Sequence, residues 1–395
     1  MLRLVSALSQ PRVIFHVGGS KVGSTALQRV LTARGSRSKS GPFRYLQWRS
    51  DGSIGDAPAS AADSLGGYAF SPFRISELAA WNPQRIATAA DAIVSRAAST
   101  PAVLSNEGWN SEALLLGEPE ARQRSRSIFG SRGAQWEAVF YVRPQAAWLE
   151  SFYLQFGIWA GREPDVFARN MQHGHEGMWA ERVDALHDMG FDTVSVRYVP
   201  DVVDDFMYDV LSLPNGSVGA LSVANRRVSL DLLLLMLNDS RLRPDMHSPH
   251  VEFLIERLGS AWDLPERPIP PLLGEKVIDE VVAAYSDDNA RLMTLLAPEQ
   301  AEAYSRDLTA FVESRVGTET TTRAELAALP LDHEYTAKLA AGALDEVLRE
   351  RYGYGLPTAD EHWSDALRQH PLVSRLLPQG SARALWATRA VDRLR

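Results

Sequence analysis

A glycine-rich segment with a lysine inside it is the part of this sequence whose residue types best fit a chemical role. Gly18-Gly-Ser-Lys-Val-Gly-Ser-Thr25 lies between a short apolar run and a segment with helical spacing. Glycines let the backbone approach an oxyanion, and the N–H groups at the start of a helix point toward it. The chain has only four lysines against 37 arginines, so Lys21 stands out from the background. The segment therefore predicts a phosphate-binding loop.

The position of that lysine differs from its position in the nucleotide-binding P-loop. The P-loop reads G-x-x-x-x-G-K-[ST], and its lysine reaches the β- and γ-phosphates of a nucleoside triphosphate. Here Gly18 and Gly23 have the P-loop spacing, but Ser24 follows Gly23. The lysine, Lys21, comes two residues before Gly23. A lysine inside the loop favours a single terminal phosphate, whose bridging leaving-group oxygen it can approach. A tight strand–helix turn without a ligand is the alternative.

An arginine and a serine form a second candidate phosphate site. Arg143 follows an apolar run, Glu137-Ala-Val-Phe-Tyr-Val142, and Ser151 comes eight residues later, about two helical turns along. An arginine fork and a serine hydroxyl can together hold a phosphate. The alternatives are that Arg143 pairs with a carboxylate and that Ser151 is an ordinary helix-surface or capping residue.

Taken together, the two patterns resemble the motifs of the sulfotransferases that use 3′-phosphoadenosine-5′-phosphosulfate (PAPS). That family's first motif, K-[ST]-G-[ST]-[ST], is similar to Lys21–Thr25 and binds the 5′-phosphosulfate of the donor. Its second motif, R-x7-S with a tyrosine two residues beyond, is similar to Arg143, Ser151 and Tyr153 and binds the 3′-phosphate. Val22 departs from the pattern, because a small hydroxyl residue is usual at that position.

Weaker similarities extend the resemblance over residues 12–312. Ser105-Asn-Glu107 resembles the family's S-x-E strand end, and Asp192–Tyr198 resembles its fourth strand. Asn225-Arg-Arg-Val-Ser-Leu230 resembles a loop that closes over the donor in bacterial members, and Asp288-Asn289 a late helical segment. The resemblance implies that the donor is bound by Lys21, Val22, Gly23, Ser24, Thr25, Arg143, Ser151, Asn225 and Arg226.

The resemblance implies in-line transfer of a sulfuryl group from PAPS to a hydroxyl or amine, leaving adenosine 3′,5′-bisphosphate. We expect Lys21 to stabilise the leaving oxygen and Glu107 to take the proton of the acceptor. Glu107 in a salt bridge or at a plain helix start is the alternative, with His16 as a second candidate base. His173 and His175 resemble a metal pair only superficially, since no third ligand is evident, and no metal is predicted.

The acceptor is expected to be a small molecule, a sugar or a lipid. Residues 36–72 and 157–180, the latter with Trp159 and Trp179, are predicted to shape its pocket, although such aromatic residues are more often core.

Short strands that alternate with helices predict the fold. Strands are predicted at 12–17, 102–105, 137–142 and 193–196, with helices between them, which indicates an α/β protein with a central parallel sheet in three α/β/α layers. The phosphate loop makes this fold P-loop NTPase-like. Residues 35–72 are rich in Gly, Ser and Pro and are predicted to be a long excursion off the core. A sulfotransferase-like domain is predicted over residues 1–316, a linker over 317–323, and a helical C-terminal extension over 324–395.

Composition limits the classes of function. The 395 residues carry a net charge of −8 and the acidic excess lies in the second half, which disfavours binding to nucleic acid. Cysteine is absent, which excludes disulfides, cysteine-ligated zinc and thiol nucleophiles. No apolar run approaches the ~20 residues of a membrane span, so we expect a cytoplasmic protein. A homo-oligomer is compatible with these properties.

Two other functions fit the same residues. A P-loop kinase would need a lysine after Gly23 and an acidic magnesium ligand, which only Glu107 could supply. A non-catalytic relative would bind a phosphorylated ligand through both motifs without turning it over.

Overall fold

The computed structural model describes residues 10–18, 21–35, 41–63, 67–109, 119–130, 133–216, 228–240, 242–247, 249–258, 263–339 and 342. The chain forms two compact units. The first draws on the described residues within Met1–Tyr153, Asp165–Asn225 and Leu273–Thr320. The second draws on those within Leu154–Pro164, Arg226–Leu272 and Thr321–Arg395. The boundary after Thr320 falls inside the segment that the sequence predicts to be a linker.

A six-stranded sheet forms the centre of the first unit, with the strand order β3-β2-β4-β1-β5-β6. All neighbouring strands are parallel except β2 and β3, which form an antiparallel pair. The sequence prediction of an α/β protein with a mostly parallel central sheet is therefore confirmed. The strands are β1 (Arg12–His16), β2 (Arg44–Trp48), β3 (Ile54–Asp56), β4 (Ala102–Ser105), β5 (Gln135–Tyr141) and β6 (Thr193–Arg197).

Helices connect these strands and continue beyond them. Those of the first unit are α1 (Ser24–Gly35), α2 (Pro83–Ala97), α3 (Pro119–Phe129), α4 (Gln145–Phe152), α5 (Pro164–His173), α6 (Trp179–Asp188), α7 (Val202–Asp204), α10 (Glu275–Ala284), α11 (Ser286–Leu295) and α12 (Pro298–Glu313). Those of the second unit are α8 (Leu230–Asn238), α9 (His250–Leu258) and α13 (Arg323–Ala328). Helix α4 continues as a π-helix over Tyr153–Gly157, and α7 as another over Asp205–Val210. None of the described helices has the length and apolar character needed to cross a membrane.

Helices cover both faces of the sheet, because successive side chains of a strand point to opposite sides. On one face, Ile14 of β1 belongs to an apolar cluster with Leu27 and Leu31 of α1. On the other face, the ring of Phe15 lies 5.2 Å from that of Phe129 in α3. Burying both faces explains why β1 is an almost uninterrupted apolar run.

The prediction for residues 35–72 is wrong, because part of this segment lies in the core. Strand β2 pairs in parallel with β4, and Tyr45 and Trp48 are fully buried. The hydroxyl of Tyr45 donates a hydrogen bond of 2.6 Å to the carbonyl oxygen of Ala69, and Trp48 stacks on Phe73 at 4.3 Å. The burial of Tyr45 and Trp48 outweighs the loop-like composition of this polar stretch.

The strand order reverses at β1, which decides where a ligand is expected. From β1 the chain first builds β2, β3 and β4 on one side and then places β5 and β6 on the other. In such sheets ligands bind outside the carboxyl ends of the strands, at the point of reversal. That point is the loop that follows His16.

The second unit is helical where it is described. Ser229 caps the leucine-rich helix α8, and the carboxylate of Asp231 in that helix pairs with Arg267 at 2.5 Å. Helix α13 begins with a capping box between Thr322 and Glu325. Residues 340, 341 and 343–395 of the predicted C-terminal extension lie outside the described residues.

Candidate functional site

The predicted phosphate-binding loop ends where helix α1 begins. Gly23 has a φ of +103°, a conformation that favours glycine, and its carbonyl accepts the first helical hydrogen bond, from Leu27 at 3.1 Å. The N–H groups of the first turn therefore point toward the carboxyl edge of the sheet, where the helix dipole favours an anion. No acidic residue lies in that turn to oppose an anion.

Lys21 is exposed on this loop in a strained backbone conformation. Its φ of 67° lies in the left-handed region, which costs a non-glycine residue roughly 1 kcal/mol. Strain of this kind persists where the surrounding structure imposes it, and it is common at ligand-binding sites. The conformation therefore sets the direction in which the lysine leaves the loop.

Arg143, from the second motif, reaches the first motif directly. It follows β5, the neighbour of β1, and its Nη1 donates a hydrogen bond of 3.3 Å to the carbonyl oxygen of Lys21. The two candidate phosphate-binding elements therefore meet at one edge of the sheet. Ser151 lies half-buried in the last turn of α4, the helix that starts just after Arg143.

Two buried aromatic side chains contact the backbone carbonyl of Arg143. Nε1 of Trp179 donates a hydrogen bond of 2.8 Å to the carbonyl oxygen of Arg143. The hydroxyl of Tyr304 lies 3.5 Å from the same oxygen and 2.6 Å from Oε1 of Gln145. Burial raises the pKa of Tyr304 well above its ordinary value, so this hydroxyl keeps its proton and remains a donor.

Both aromatic anchors are fixed by the late helical segment. The side chain of Asp288 in α11 accepts a hydrogen bond of 3.0 Å from the backbone N–H of Ala180, and thereby caps the first turn of α6, which starts at Trp179. Its neighbour Asn289 lies 3.0 Å from the hydroxyl of Tyr304. The Asp288-Asn289 segment noticed in the sequence thus supports Arg143 through both of its residues.

The sequence led us to expect that Trp179 lines an acceptor pocket. The structure shows that it does not. Only 1% of this residue is exposed, and its single donor is used by Arg143. Sequence reasoning also missed Tyr304 and Gln145 as parts of the site. Nothing in the spacing signals Tyr304, because it is 161 residues from Arg143.

The remaining residues of the first motif differ in their access to a ligand. Val22 packs against the apolar cluster between the sheet and α1. Ser24 is only 2% exposed, whereas Thr25 is half-buried in the same helical turn. Of the two hydroxyls predicted to contact phosphate, that of Thr25 is the more accessible. Asn225 and Arg226, also predicted to bind the donor, lie outside the described residues.

Glu107 lies at the end of β4, on the other side of β1 from Arg143. The preceding residue, Asn106, joins the two strand ends, because its N–H donates to the carbonyl oxygen of His16 at 3.1 Å. Its side chain accepts a hydrogen bond of 2.7 Å from Gly108, forming a turn that presents the half-buried Glu107 at the carboxyl edge. Glu107, Lys21 and Arg143 thus follow three adjacent strands.

His16, the second candidate base, is not exposed at this edge. His16 is fully buried, and burial lowers its pKa to about 3. Nδ1 of His175 pairs with Glu181 at 3.1 Å on an exposed surface. Within the described part of the chain, no three His, Asp or Glu side chains cluster as metal ligands would.

A groove of about 360 Å³ lies beside the β2–β3 turn. Gly52, Ser53 and Ile54 line one side of it, and Trp81 and Arg85 line another. Since β2 is two strands from β1, the groove is displaced sideways from the phosphate loop.

Comparison with known proteins gives no match for this chain, either to a family model, to a curated protein or to a solved structure.

Proposed function

We propose that this protein is a PAPS-dependent sulfotransferase built on a P-loop NTPase-like fold. The observation that carries the proposal is the hydrogen bond from Arg143 to the carbonyl oxygen of Lys21. The resemblance implies that these residues belong to two motifs that bind opposite ends of one donor molecule. Such an assignment requires the motifs to lie side by side, and this hydrogen bond supports it.

The donor fits this arrangement chemically. PAPS carries a phosphosulfate at the 5′ position and a phosphate at the 3′ position of one ribose. The start of α1 supplies N–H groups for the 5′-phosphate, and Arg143 supplies a guanidinium fork for the 3′-phosphate. Adjacent strands are about 4.8 Å apart, a separation that one ribose can span.

The proposed reaction is an in-line transfer. The oxygen or nitrogen of the acceptor forms a bond to sulfur while the bond from sulfur to the bridging oxygen breaks. Lys21 stabilises the charge that develops on that bridging oxygen, which leaves as part of adenosine 3′,5′-bisphosphate. Glu107 takes the proton that the acceptor loses. The protein contributes mainly positioning and electrostatic stabilisation.

The acceptor is proposed to be a hydroxyl or amine of a small molecule, a sugar or a lipid. Cytoplasmic location and a homo-oligomeric state stay predictions of the sequence.

Calorimetric binding of adenosine 3′,5′-bisphosphate tests the proposal most directly, with AMP and ATP–Mg²⁺ as comparison ligands. We expect tight binding of the bisphosphate that depends on its 3′-phosphate. Folded protein that binds none of the three would contradict the proposal. Binding of ATP–Mg²⁺ alone would point to a kinase, and binding of the bisphosphate by a protein that never hydrolyses or transfers sulfate from PAPS would point to a non-catalytic relative.

A further inference from the structure

The imidazole of His16 lies directly beneath the phosphate loop. His16 is the last residue of β1, two positions before Gly18, and it is fully buried. A methyl group placed on Gly18 would lie 2.6 Å from His16 Nε2. Nε2 is therefore pressed against the first glycine of the loop, and only a glycine fits there without displacing the ring.

The other ring nitrogen, Nδ1, belongs to a buried hydrogen-bond network. Nδ1 of His16 lies 2.8 Å from Oγ of Ser105 in β4, and Nε2 of Gln28 in α1 donates to the same oxygen at 3.0 Å. Since Gln28 supplies a proton to that oxygen, the hydroxyl proton of Ser105 is available for Nδ1. The hydrogen bond at one imidazole nitrogen decides which nitrogen carries the proton.

Nε2 of His16 has no hydrogen-bond partner among the residues that the structure describes. Buried polar atoms in native proteins nearly always have a partner, and an exception calls for an explanation. The rings of Tyr141 and Phe206 flank the imidazole, with centroids 5.8 and 6.0 Å away, and the hydroxyl of Tyr141 donates to Asp205 at 2.6 Å. The remaining direction is toward Gly18 and the loop.

We propose that His16 is a positioning residue for the phosphate loop, an inference that rests on the proposed function. The hydroxyl of Ser105 donates a hydrogen bond to Nδ1, which places the single imidazole proton on Nε2. The Nε2–H group then donates a hydrogen bond to the loop backbone when the loop binds a 5′-phosphate. Because the ring stays neutral, it supplies this donor without burying a charge.

Two substitutions at His16 separate the donor from the rest of the side chain. His16→Gln keeps an N–H donor near the position of Nε2, whereas His16→Asn places its amide near Nδ1 and leaves the Nε2 position empty. For His16→Asn we expect binding of both adenosine 3′,5′-bisphosphate and AMP to weaken about tenfold, as for a hydrogen bond in a charged site. The ratio of the two affinities should stay that of the wild type, because Arg143 is untouched. His16→Gln should restore most of the loss.

Several outcomes overturn the proposal. One is wild-type affinity in His16→Asn, and another is a loss that His16→Gln does not restore. A change in the ratio of the two affinities would show a general disturbance of the site. If the wild type itself binds neither ligand, the proposed function fails and this inference fails with it, whereas equal binding by wild type and variants removes only the role of His16.

Nitrogen NMR of histidine-labelled wild-type protein gives a test that needs no variant. We expect Nε2 to be protonated and Nδ1 unprotonated, and the Nε2–H resonance of His16 to shift when the bisphosphate is added. A proton on Nδ1, or an unchanged resonance at saturation, would rule out the proposed contact.

Discussion

Arg143 and Lys21 are 122 residues apart in the sequence, yet the guanidinium of Arg143 donates a hydrogen bond to the carbonyl oxygen of Lys21. The contact is possible because β5 and β1 are neighbours and end at the same edge of the sheet. It gives Arg143 two roles, since the same fork can stabilise the loop and hold a phosphate.

Replacing Arg143 should therefore affect both ends of the donor. For Arg143→Ala we expect affinity for adenosine 3′,5′-bisphosphate to fall at least tenfold, the scale of a charged hydrogen bond, and most of the preference over AMP to disappear. Arg143→Lys keeps the charge but loses the fork, so it should recover only part of the affinity. Titration calorimetry measures both effects, with Arg169→Ala, an exposed arginine paired with Asp165, as control. An undiminished preference for the 3′-phosphate in Arg143→Ala would refute the assignment.

Replacing Lys21 separates catalysis from backbone strain. Lys21→Ala should lower kcat by two or more orders of magnitude, because one donor to a developing oxyanion contributes about 2.7–4 kcal/mol. Lys21→Gly should be equally inactive, yet more stable than Lys21→Ala by roughly 1 kcal/mol, since glycine adopts a positive φ without strain. Turnover and urea unfolding of the two variants measure this, with the exposed Lys276→Ala as control. Near-normal turnover in either Lys21 variant would remove the lysine from the mechanism.

Glu107→Gln tests the proposed base. We expect kcat to fall about 100-fold or more while the affinity for the bisphosphate is unchanged, because the residue acts on the acceptor and not on the donor. The acidic limb of the wild-type pH–rate profile should also disappear in the variant. Glu77→Gln, at an exposed carboxylate, is the matched control. A profile with its acidic limb intact would assign the proton transfer to another group.

Trp179→Phe tests how Arg143 is held. The change removes the hydrogen bond to the carbonyl oxygen of Arg143, so we expect the free energy of unfolding to fall by about 1 kcal/mol beyond the packing loss. Trp148→Phe is a close control, because Trp148 packs against Trp179 at 5.1 Å but its own Nε1 has no partner within the described structure. Only Trp179→Phe should weaken the preference for the bisphosphate over AMP. Equal effects of both variants would mean that the hydrogen bond contributes little.

His16 should make the protein less stable in acid. Burial lowers the pKa of His16 to about 3, whereas a histidine in the unfolded chain titrates near 6.5. As the pH falls below about 6.5 the unfolded chain binds a proton that the folded chain does not, so the free energy of unfolding decreases. At about pH 4.5 the loss relative to pH 8 should be roughly 2–3 kcal/mol. Denaturant unfolding across this range measures it, and the His16→Gln variant should lack this part of the pH dependence. Parallel curves for the two proteins would contradict a neutral buried imidazole.

The sheet illustrates how far local sequence patterns reach. The strands β1, β4, β5 and β6 were predicted within two residues of their observed ends, because apolar β-branched runs bounded by turn residues are local signals. Strand β2 was missed, since its buried aromatic residues stand in a Gly- and Ser-rich stretch. Its pairing with β4 depends on burial that no local pattern expresses.

The sequence by itself determined that β1 leads through a glycine-rich loop into α1 and that an arginine follows β5, because these features depend on residue type and short spacing. Only the tertiary structure decided that Arg143 contacts the carbonyl oxygen of Lys21, that Trp179 and Tyr304 support Arg143, and that His16 lies under Gly18. Each of these contacts joins elements that become neighbours only when the strand order is fixed. That order is set by the burial of both sheet faces over the whole unit, and it cannot be read from any single segment.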